Sequence, residues 1–303
     1  MAETCPKHKV FLRKYLCDGA TRPAIRDRWP ISPCPLSDRQ SCVYQCFMTT
    51  TTTRHIGMIV PSSNLTMETE LPEIFGRRRE VHPQDRFVFH SSRMRMKHVT
   101  PEELVAMNAQ TERASLELAD ARPDAVASAC LVAIMAQGAG YHCTAEDQMR
   151  AALGSEGVDA PVISSAGALL RGLTALGARK VVMVTPYMKP LTQLVADYVE
   201  DAGFEVLDTL SLEVSDNIAV ANLDPADLTQ HWKRLDPTAL EEADVLVLSA
   251  CVQMPSLPAI QTVEDEYGKP VVSAAVATAW AILQDLGLPT DVPGSGSLLG
   301  GRY

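Results

Sequence analysis

Two of the eight cysteines stand in the same short motif, Ser-Ala-Cys, each at the end of a hydrophobic stretch. They are Cys130 and Cys251. A thiol next to backbone N–H groups at the start of a loop or helix loses its proton more readily, because those dipoles favour the thiolate. A thiolate can attack carbon or remove a proton. A lone cysteine is often only a small apolar residue, but the duplicated motif favours a two-thiol active site.

Polar loops follow two other hydrophobic stretches and are candidates for substrate binding. They are Pro61–Asn64 and Pro186–Met188. Their hydroxyl, amide and N–H groups are suitable donors to a carboxylate. Residues of these types are also common in ordinary turns, so turn formation is the alternative explanation.

Three further groups have simpler structural explanations. The basic run Arg93–His98 could clamp a dicarboxylate, although a solvated connection explains most such runs. Glu68 and Glu70 fall in the first turn of an expected helix, where acids favour the helix dipole. Cys143 beside His142 has no counterpart in a repeat. We interpret Cys143 as structural, with a Cys–His dyad as the alternative.

The composition indicates a globular protein that binds neither nucleic acid nor a membrane. The chain has 303 residues, of which 46% are hydrophobic, and a formal net charge of -10. That charge repels phosphate backbones and anionic lipid heads. The longest apolar runs, such as Val245–Val252, are far shorter than the ~20 residues of a membrane helix. The cysteines form no CxxC pair, so we expect reduced thiols and a cytoplasmic protein.

Residues 1–53 differ in composition from the rest of the chain. They contain five of the eight cysteines, eight Lys or Arg against four Asp or Glu, and no sustained period. We predict that they form a disordered N-terminal extension, whose acids and prolines suit a targeting peptide poorly. Met48, before a threonine run, is a natural start, so residues 1–47 are expected to be an upstream extension.

Short apolar runs alternate with amphipathic stretches of helical length from Arg54 onward. This alternation predicts βα units that build parallel sheets covered on both faces. Thr100–Glu103 resembles a capping box with proline in the first turn, and Asp224–Pro225 is a similar helix start. The expected strands are Ile56–Val60, Phe87–His90, Ala125–Ser128, Val162–Ser164, Val181–Thr185, Val206–Leu210, Val245–Ser249 and Val271–Ser273.

The two halves of this region repeat one another. Gly57–Pro61 corresponds to Val182–Pro186, and Pro161–Ser164 corresponds to Pro270–Ser273. In each half, one Ser-Ala-Cys motif lies between the two segments. The repetition predicts an α/β protein with two pseudo-symmetric, doubly wound, Rossmann-like lobes. Ligands bind at the carboxyl ends of parallel strands, so we expect the active site in the cleft between the lobes, where the thiols meet.

The same repeat gives the expected domain boundaries. Residues 54–165 together with 271–288 are expected to form the first lobe, and residues 166–270 the second lobe. Residues 289–303 are expected to form a C-terminal tail.

Five motifs together carry a strong family resemblance. They are Val60–Glu68, Ala129–Ala133, Val184–Tyr187, Asp216–Asn217 and Ala250–Pro255. On these motifs, residues 56–288 resemble the maleate cis-trans isomerases of the aspartate/glutamate racemase superfamily. The run from position 90 to position 100 further resembles the subgroup associated with bacterial nicotinate degradation.

The resemblance implies roles for individual residues. Cys130 would be the nucleophile and Cys251 the proton donor. The resemblance also implies residues that bind the substrate through their side chains or through nearby backbone. They are Asn64, Leu131, Val132, Tyr187, Asn217, Val252 and Gln253. The resemblance also implies a homodimer that acts on a small dicarboxylate without a cofactor or metal. Leu65 and Ser128 depart from the commoner family residues, but neither position holds a reacting group.

The implied reaction is the isomerisation of maleate to fumarate through a succinyl-cysteine. The Cys130 thiolate would attack C2 and Cys251 would protonate C3, after which the new single bond rotates and fumarate is eliminated. One alternative is an aspartate or glutamate racemase that uses both thiols as bases. Another is an arylmalonate-type decarboxylase, a family that relies on one thiol in the second position. A non-enzymatic carboxylate-binding protein would leave two matched thiols unexplained.

Overall fold

The computed structural model describes residues 52–303. Most of the expected extension at residues 1–53 therefore lies outside the described residues. The expectation is wrong for Thr52 and Thr53, because both belong to the first strand. They pair in parallel with Asp85 and Arg86 of the neighbouring strand, and this pairing satisfies their backbone groups.

Strands and helices alternate along the described region, as the hydrophobic pattern predicts. The strands are β1 (Thr52–Pro61), β2 (Asp85–Met94), β3 (Ala125–Ser128), β4 (Val162–Ser164), β5 (Lys180–Thr185), β6 (Glu205–Ser211), β7 (Val245–Ser249) and β8 (Val271–Ser273). The helices are α1 (Met67–Arg77), α2 (Pro101–Asn108), α3 (Thr111–Ala119), α4 (Leu131–Met135), α5 (Tyr141–Ser155), α6 (Ser165–Ala175), α7 (Lys189–Asp201), α8 (Asn217–Ala221), α9 (Pro225–His231), α10 (Pro237–Glu242), α11 (Leu257–Tyr267) and α12 (Ala274–Asp285). Short 3₁₀ helices cover Arg78–Glu80, Trp232–Arg234 and Ser297–Leu299.

The strands form two parallel four-stranded sheets with the same order. The first sheet runs β2-β1-β3-β4 and the second runs β6-β5-β7-β8. The central strands β3 and β7 are buried along their whole length. In both sheets the strand order reverses beside the first strand of the lobe, which creates a crevice at the carboxyl ends of the strands. The expected doubly wound α/β fold with two pseudo-symmetric lobes is confirmed.

The last strand corrects the expected domain boundary. Residues 271–288 were assigned to the first lobe, but β8 pairs with β7 in the second sheet, where Val271 aligns with Leu246. The repeat explains this pairing, because β8 is the counterpart of β4. The helix that follows, α12, packs against α1 and α6 and contacts β3 and β4 as well as β8.

The C-terminal residues pack against the body of the protein. The buried guanidinium of Arg78 donates to the Pro289 carbonyl and pairs with Asp85. The Tyr303 carbonyl accepts from Gln284 Nε2 at 2.6 Å. Among residues 52–303, no helix is both long and apolar enough to cross a membrane.

Candidate active site

One cavity lies at the carboxyl ends of the central strands of both sheets. The empty space inside it, part of which is open to solvent, is about 310 Å³. All nine site residues expected from the sequence line it. They are Asn64, Cys130, Leu131, Val132, Tyr187, Asn217, Cys251, Val252 and Gln253.

The first thiol, Cys130, stands between β3 and α4 in an unusual backbone conformation. Its φ and ψ angles are 82° and 67°, in the left-handed region that a non-glycine residue rarely adopts. Observed strain of this kind often accompanies a functional position. Burial raises the pKa of the Cys130 thiol to about 12, although the Ala133 N–H opposes the rise and nearby Cys251 adds to it.

The second thiol, Cys251, lies in a turn that is rich in hydrogen-bond donors. The Gln253 N–H donates to its Sγ at 3.4 Å, and Ser249 Oγ donates to its carbonyl at 2.9 Å. Burial raises the pKa of Cys251, whereas the Tyr187 hydroxyl and the N–H groups of Gln253 and Met254 lower it. Three nearby donors therefore lower the pKa of the Cys251 thiol, and one lowers the pKa of the Cys130 thiol.

Burial outweighs the effect of the backbone N–H groups at both sulfurs. The sequence led us to expect that these N–H groups would lower the pKa of each thiol toward the thiolate. The expected groups are present, but loss of water disfavours the charged sulfur more strongly, so the pKa of each thiol is raised. Both cysteines rest as neutral thiols at neutral pH.

Tyr187 extends from the loop after β5 into the same cavity. Only 5% of the residue is exposed, and its hydroxyl donates to the Ala250 carbonyl at 3.5 Å. Burial first, and then nearby Cys251, raise the pKa of Tyr187 well above its ordinary value. Its hydroxyl is therefore a neutral donor next to the second thiol.

Two asparagines reach the cavity from the ends of helices in opposite lobes. Asn64 Oδ1 accepts from the N–H groups of Thr66 and Met67 at 3.1 and 2.9 Å, at the start of α1. This arrangement leaves its Nδ2 as the donor that the side chain can offer to a ligand. Asn217 Nδ2 donates one hydrogen to Ser63 Oγ at 2.7 Å, and its second hydrogen can serve a ligand.

Gln253 connects the loops of the two lobes. Its Oε1 accepts from the Leu65 N–H at 3.0 Å, and its Nε2 donates to the carbonyls of Ser63 and Asn217 at 2.9 and 2.8 Å. Its own carbonyl accepts from Thr66 Oγ1 at 2.7 Å. The side-chain amide and both backbone groups of Gln253 therefore bond to protein, the N–H to Cys251 Sγ and the carbonyl to Thr66, so Gln253 positions the loop that carries Cys251.

Three apolar residues complete the cavity wall. They are Pro61, Met96 and Val99. Met96 lies in a run of alternating apolar and charged residues after β2, and Ser62 Oγ holds it through two hydrogen bonds of 3.1 Å to its backbone. The charges of this run suggest a basic stretch, but its alternation of apolar and charged residues is the signal for a half-buried extended segment.

The basic side chains of that run point away from the cavity. Arg93, Arg95, Lys97 and His98 are all exposed, and Arg93 pairs with Glu68. The cavity lining contains no Lys or Arg. A carboxylate ligand would therefore depend on amides, hydroxyls and backbone N–H groups.

The remaining candidate groups also lie outside the cavity. Cys143 Sγ is 3.5 Å from His142 Nε2, on α5. The Glu70 carboxylate does not serve the start of its own helix, as the sequence suggested, but the start of α11 in the other lobe. In the part of the chain that the structure describes, no group of three or more His, Cys, Asp or Glu could hold a metal ion.

Comparison with known proteins identifies the family. Residues 56–299 match the family model described as arylmalonate decarboxylase. The chain is 55% identical over 249 residues to a maleate isomerase from Alcaligenes faecalis, covering 82% of this chain and 97% of that protein.

Solved structures give the same result. The crystal structure of the maleate isomerase Iso from Pseudomonas putida S16 superposes with a TM-score of 0.81 at 53% identity, covering 83% of this chain and 100% of that one. A mutant of the Nocardia farcinica maleate cis-trans isomerase carries a covalently bound succinylcysteine intermediate. It has a TM-score of 0.79 and 49% identity, with 83% of this chain and 100% of that one covered. The chain therefore belongs to the arylmalonate decarboxylase family and, within it, to the maleate isomerases.

Proposed function

We propose that this protein isomerises maleate to fumarate, with Cys130 and Cys251 as its reacting groups. The observation that carries the proposal is a small cavity that brings two buried thiols together with neutral hydrogen-bond donors. The high identity to maleate isomerases over most of their length supports it.

The cavity offers donors suited to the two carboxylates of a small cis-diacid. The amide groups of Asn64 and Asn217 face it from opposite lobes. The N–H groups of Leu131 and Val132 stand in the first turn of α4, where a helix provides no internal acceptor. Donors aimed at the carboxylate next to the attacked carbon stabilise the enediolate character that develops there.

The first step adds one sulfur and one proton across the double bond. Cys130 Sγ bonds to C2 and the Cys251 proton passes to C3, so the C=C bond becomes a single bond. The proton that Cys130 releases restores Cys251 to the thiol, and the protons balance. Because burial raises the pKa of Cys130 to about 12, attack and loss of its proton occur together. A thiolate of high pKa is also the stronger nucleophile.

The surroundings of Cys251 support its role as proton donor. After it gives up its proton, the sulfur carries a negative charge in a buried place. The hydrogen bonds from Tyr187, Gln253 and Met254, which lower the pKa of Cys251, stabilise that transient charge. Cys130 has one such donor, so it is the less suitable thiol for this role.

Rotation about the new single bond and reversal of the first step complete the cycle. The C2–C3 bond turns, the Cys251 thiol gives its proton to the departing Cys130 sulfur as it takes the proton from C3, and the C2–S bond breaks to release fumarate. The succinylcysteine in the Nocardia farcinica relative is the kind of intermediate that this scheme requires.

The test is proton NMR of the reduced protein with maleate as the sole added reactant. We expect fumarate with the wild type and with Cys143→Ala, which removes a thiol outside the cavity and is the matched control. We expect none with Cys130→Ala or Cys251→Ala. Absence of fumarate with folded, reduced wild type would contradict the proposal. Exchange of the α-proton of aspartate or glutamate would then indicate a racemase, and CO₂ release from an arylmalonate a decarboxylase.

Three finer expectations belong to the same proposal. The resemblance of residues 90–100 supports a place in nicotinate degradation, the cysteine pattern supports the cytoplasm, and the family supports a homodimer. Sedimentation of the purified protein tests the dimer, and growth of the host on nicotinate after deletion of the gene tests the pathway. A monomer, or undiminished growth, would remove the corresponding expectation.

A further inference from the structure

We propose that Glu70 is a positioning residue for Cys251, because its carboxylate, which comes from the first lobe, fixes the loop that carries this thiol in the second lobe. The inference rests on the proposed function, in which the two sulfurs must approach neighbouring carbons of one substrate. Glu70 does not line the cavity, so it acts through the loop.

The contacts of Glu70 cross from one lobe to the other. Its Oε1 accepts from the N–H groups of Ser256 and Leu257 at 2.5 and 2.6 Å, and its Oε2 accepts from Ser256 Oγ at 3.3 Å. All three partners are donors that favour the ionised carboxylate and lower the pKa of Glu70, whereas burial raises this pKa by more. The group is 5% exposed, so water does not compete for these bonds.

These contacts replace the usual cap of α11. Ser256 is the N-cap residue, but its side chain makes no capping hydrogen bond within its own helix. The first N–H groups of a helix need acceptors and favour a negative charge. Glu70 supplies both from α1, so the start of α11 depends on the opposite lobe.

The loop from Cys251 to Ser256 is thereby held at both of its ends. Ser249, the last residue of β7, donates to the Cys251 carbonyl at 2.9 Å, and Glu70 holds the other end. Gln253 in the middle of the loop donates its N–H to the sulfur at 3.4 Å. A shift of Glu70 would move the sulfur and this donor together. Misplacement of a reacting group by about 1 Å can cost ~100-fold in rate.

On the Cys130 side the corresponding cross-lobe contact uses a hydroxyl and not a carboxylate, because Tyr198 of α7 accepts from the His142 N–H at the start of α5 at 3.1 Å. Thr192 is the fourth residue of α7, as Glu70 is of α1. Its hydroxyl bonds to Thr185 Oγ1 at 2.6 Å and Ser211 Oγ at 2.8 Å, which lie in its own lobe. Cys130 is instead followed directly by α4. Cross-lobe anchoring by a carboxylate is therefore a property of the second thiol.

The experiment compares Glu70→Gln with Glu68→Gln. The Glu70 variant keeps the size of the side chain and removes the charge. Glu68, on the same helix, pairs with Arg93 outside the cavity and is the matched control. We would measure kcat and KM for maleate, and the rates at which iodoacetamide labels Cys251 and Cys130, by peptide mass spectrometry.

For Glu70→Gln we expect kcat to fall about 10–100-fold with KM within about threefold, because positioning and not binding is lost. Cys251 should be labelled faster relative to Cys130, since its loop is looser and a nearby negative charge is gone. Unchanged kcat and an unchanged labelling ratio, with only a lower Tm, would overturn the proposal. If Glu70→Gln does not fold, Glu70→Asp, which shortens the side chain by one methylene, must show the same two changes. The labelling ratio needs no turnover, so it tests the positioning role even if the protein does not isomerise maleate.

Discussion

The loops that carry the two cysteines follow equivalent strands, yet their surroundings differ. Cys130 has a left-handed backbone conformation and leads directly into α4. Cys251 lies in a turn, where three donors lower the pKa of its thiol. At the second position after each cysteine, the first lobe has the apolar Val132 and the second lobe has Gln253, which binds both lobes.

On the proposed function, this difference matches two separate roles for the duplicated thiols. Symmetry brings two thiols to one cavity, but the same chemistry at both would not add a sulfur to one carbon and a proton to the next. The donors around Cys251 suit a sulfur that carries charge briefly. The isolated Cys130, with a pKa raised to about 12 by burial, suits a sulfur that reacts as it loses its proton.

The largest expected effect comes from replacing each thiol in turn. Cys130→Ser and Cys251→Ser should each lower the turnover of maleate by about 10⁴-fold or more, because each removes a reacting group. Only Cys251→Ser should accumulate a covalent adduct on the remaining cysteine, since attack by Cys130 is preserved and completion of the cycle is not. Intact-protein mass spectrometry after mixing with saturating maleate measures the adduct. An adduct in Cys130→Ser instead would reverse the assigned roles.

A smaller effect is expected from removing one donor of the Cys251 site. Tyr187→Phe should lower kcat by about 100-fold, a typical effect of losing one donor in a catalytic site. The Tyr187 hydroxyl lowers the pKa of Cys251, so its loss should raise that pKa and shift alkylation of Cys251 to higher pH.

The control for this change is the residue at the equivalent place in the other lobe. Ser62→Ala removes the hydroxyl that holds the Met96 backbone. It should leave the pH dependence of Cys251 alkylation unchanged. A profile in Tyr187→Phe identical to that of the wild type would show that the hydroxyl does not serve this thiol.

Replacing Gln253, which joins the loops of the two lobes, should lower stability more than replacing Val132, the residue at the equivalent position in the first lobe. Gln253→Ala leaves the Leu65 N–H and the carbonyls of Ser63 and Asn217 without their partner. We expect a loss of about 2–3 kcal/mol and a fall in Tm of about 5–10 °C. Val132→Ala should cost about 1 kcal/mol through lost apolar contacts. Thermal unfolding of both variants measures the difference, and equal losses would mean that the Gln253 bonds add nothing.

Much of the fold was predictable because its signals are local. The apolar runs predicted all eight strands found in residues 52–303, and four of them, such as β3 and β7, have the expected bounds. β1 and β2 are longer than expected, because pairing between strands continues into polar residues that no hydrophobic period marks. The assignment of β8 to the first lobe was wrong, although the correspondence of Pro270–Ser273 with Pro161–Ser164 already indicated the second sheet.

The location of the site was predictable, but its electrostatics were not. Symmetry and the rule for parallel strands were enough to bring Cys130 and Cys251 to one cavity. The raised pKa of each thiol depends on how completely water is excluded, and that depends on residues distant in the sequence, such as Met96. The contact of Glu70 with α11 joins residues 186 positions apart, and no periodicity of either helix indicates it.

The smallest expected effect concerns the charged run beside the cavity. Arg93 pairs with Glu68 near the surface and donates to the Ser62 carbonyl at 2.9 Å. An exposed pair of this kind contributes about 0–1 kcal/mol, so Arg93→Ala should change Tm by only a few degrees. KM for maleate should stay within about twofold, because on the proposed function neutral donors in both lobes bind the carboxylates. Steady-state kinetics at low and high salt check this. A tenfold rise in KM for Arg93→Ala, together with the same rise for the wild type at high salt, would mean that the Arg93 cation attracts the substrate. The two lobes would then differ in charge as well as in their thiols.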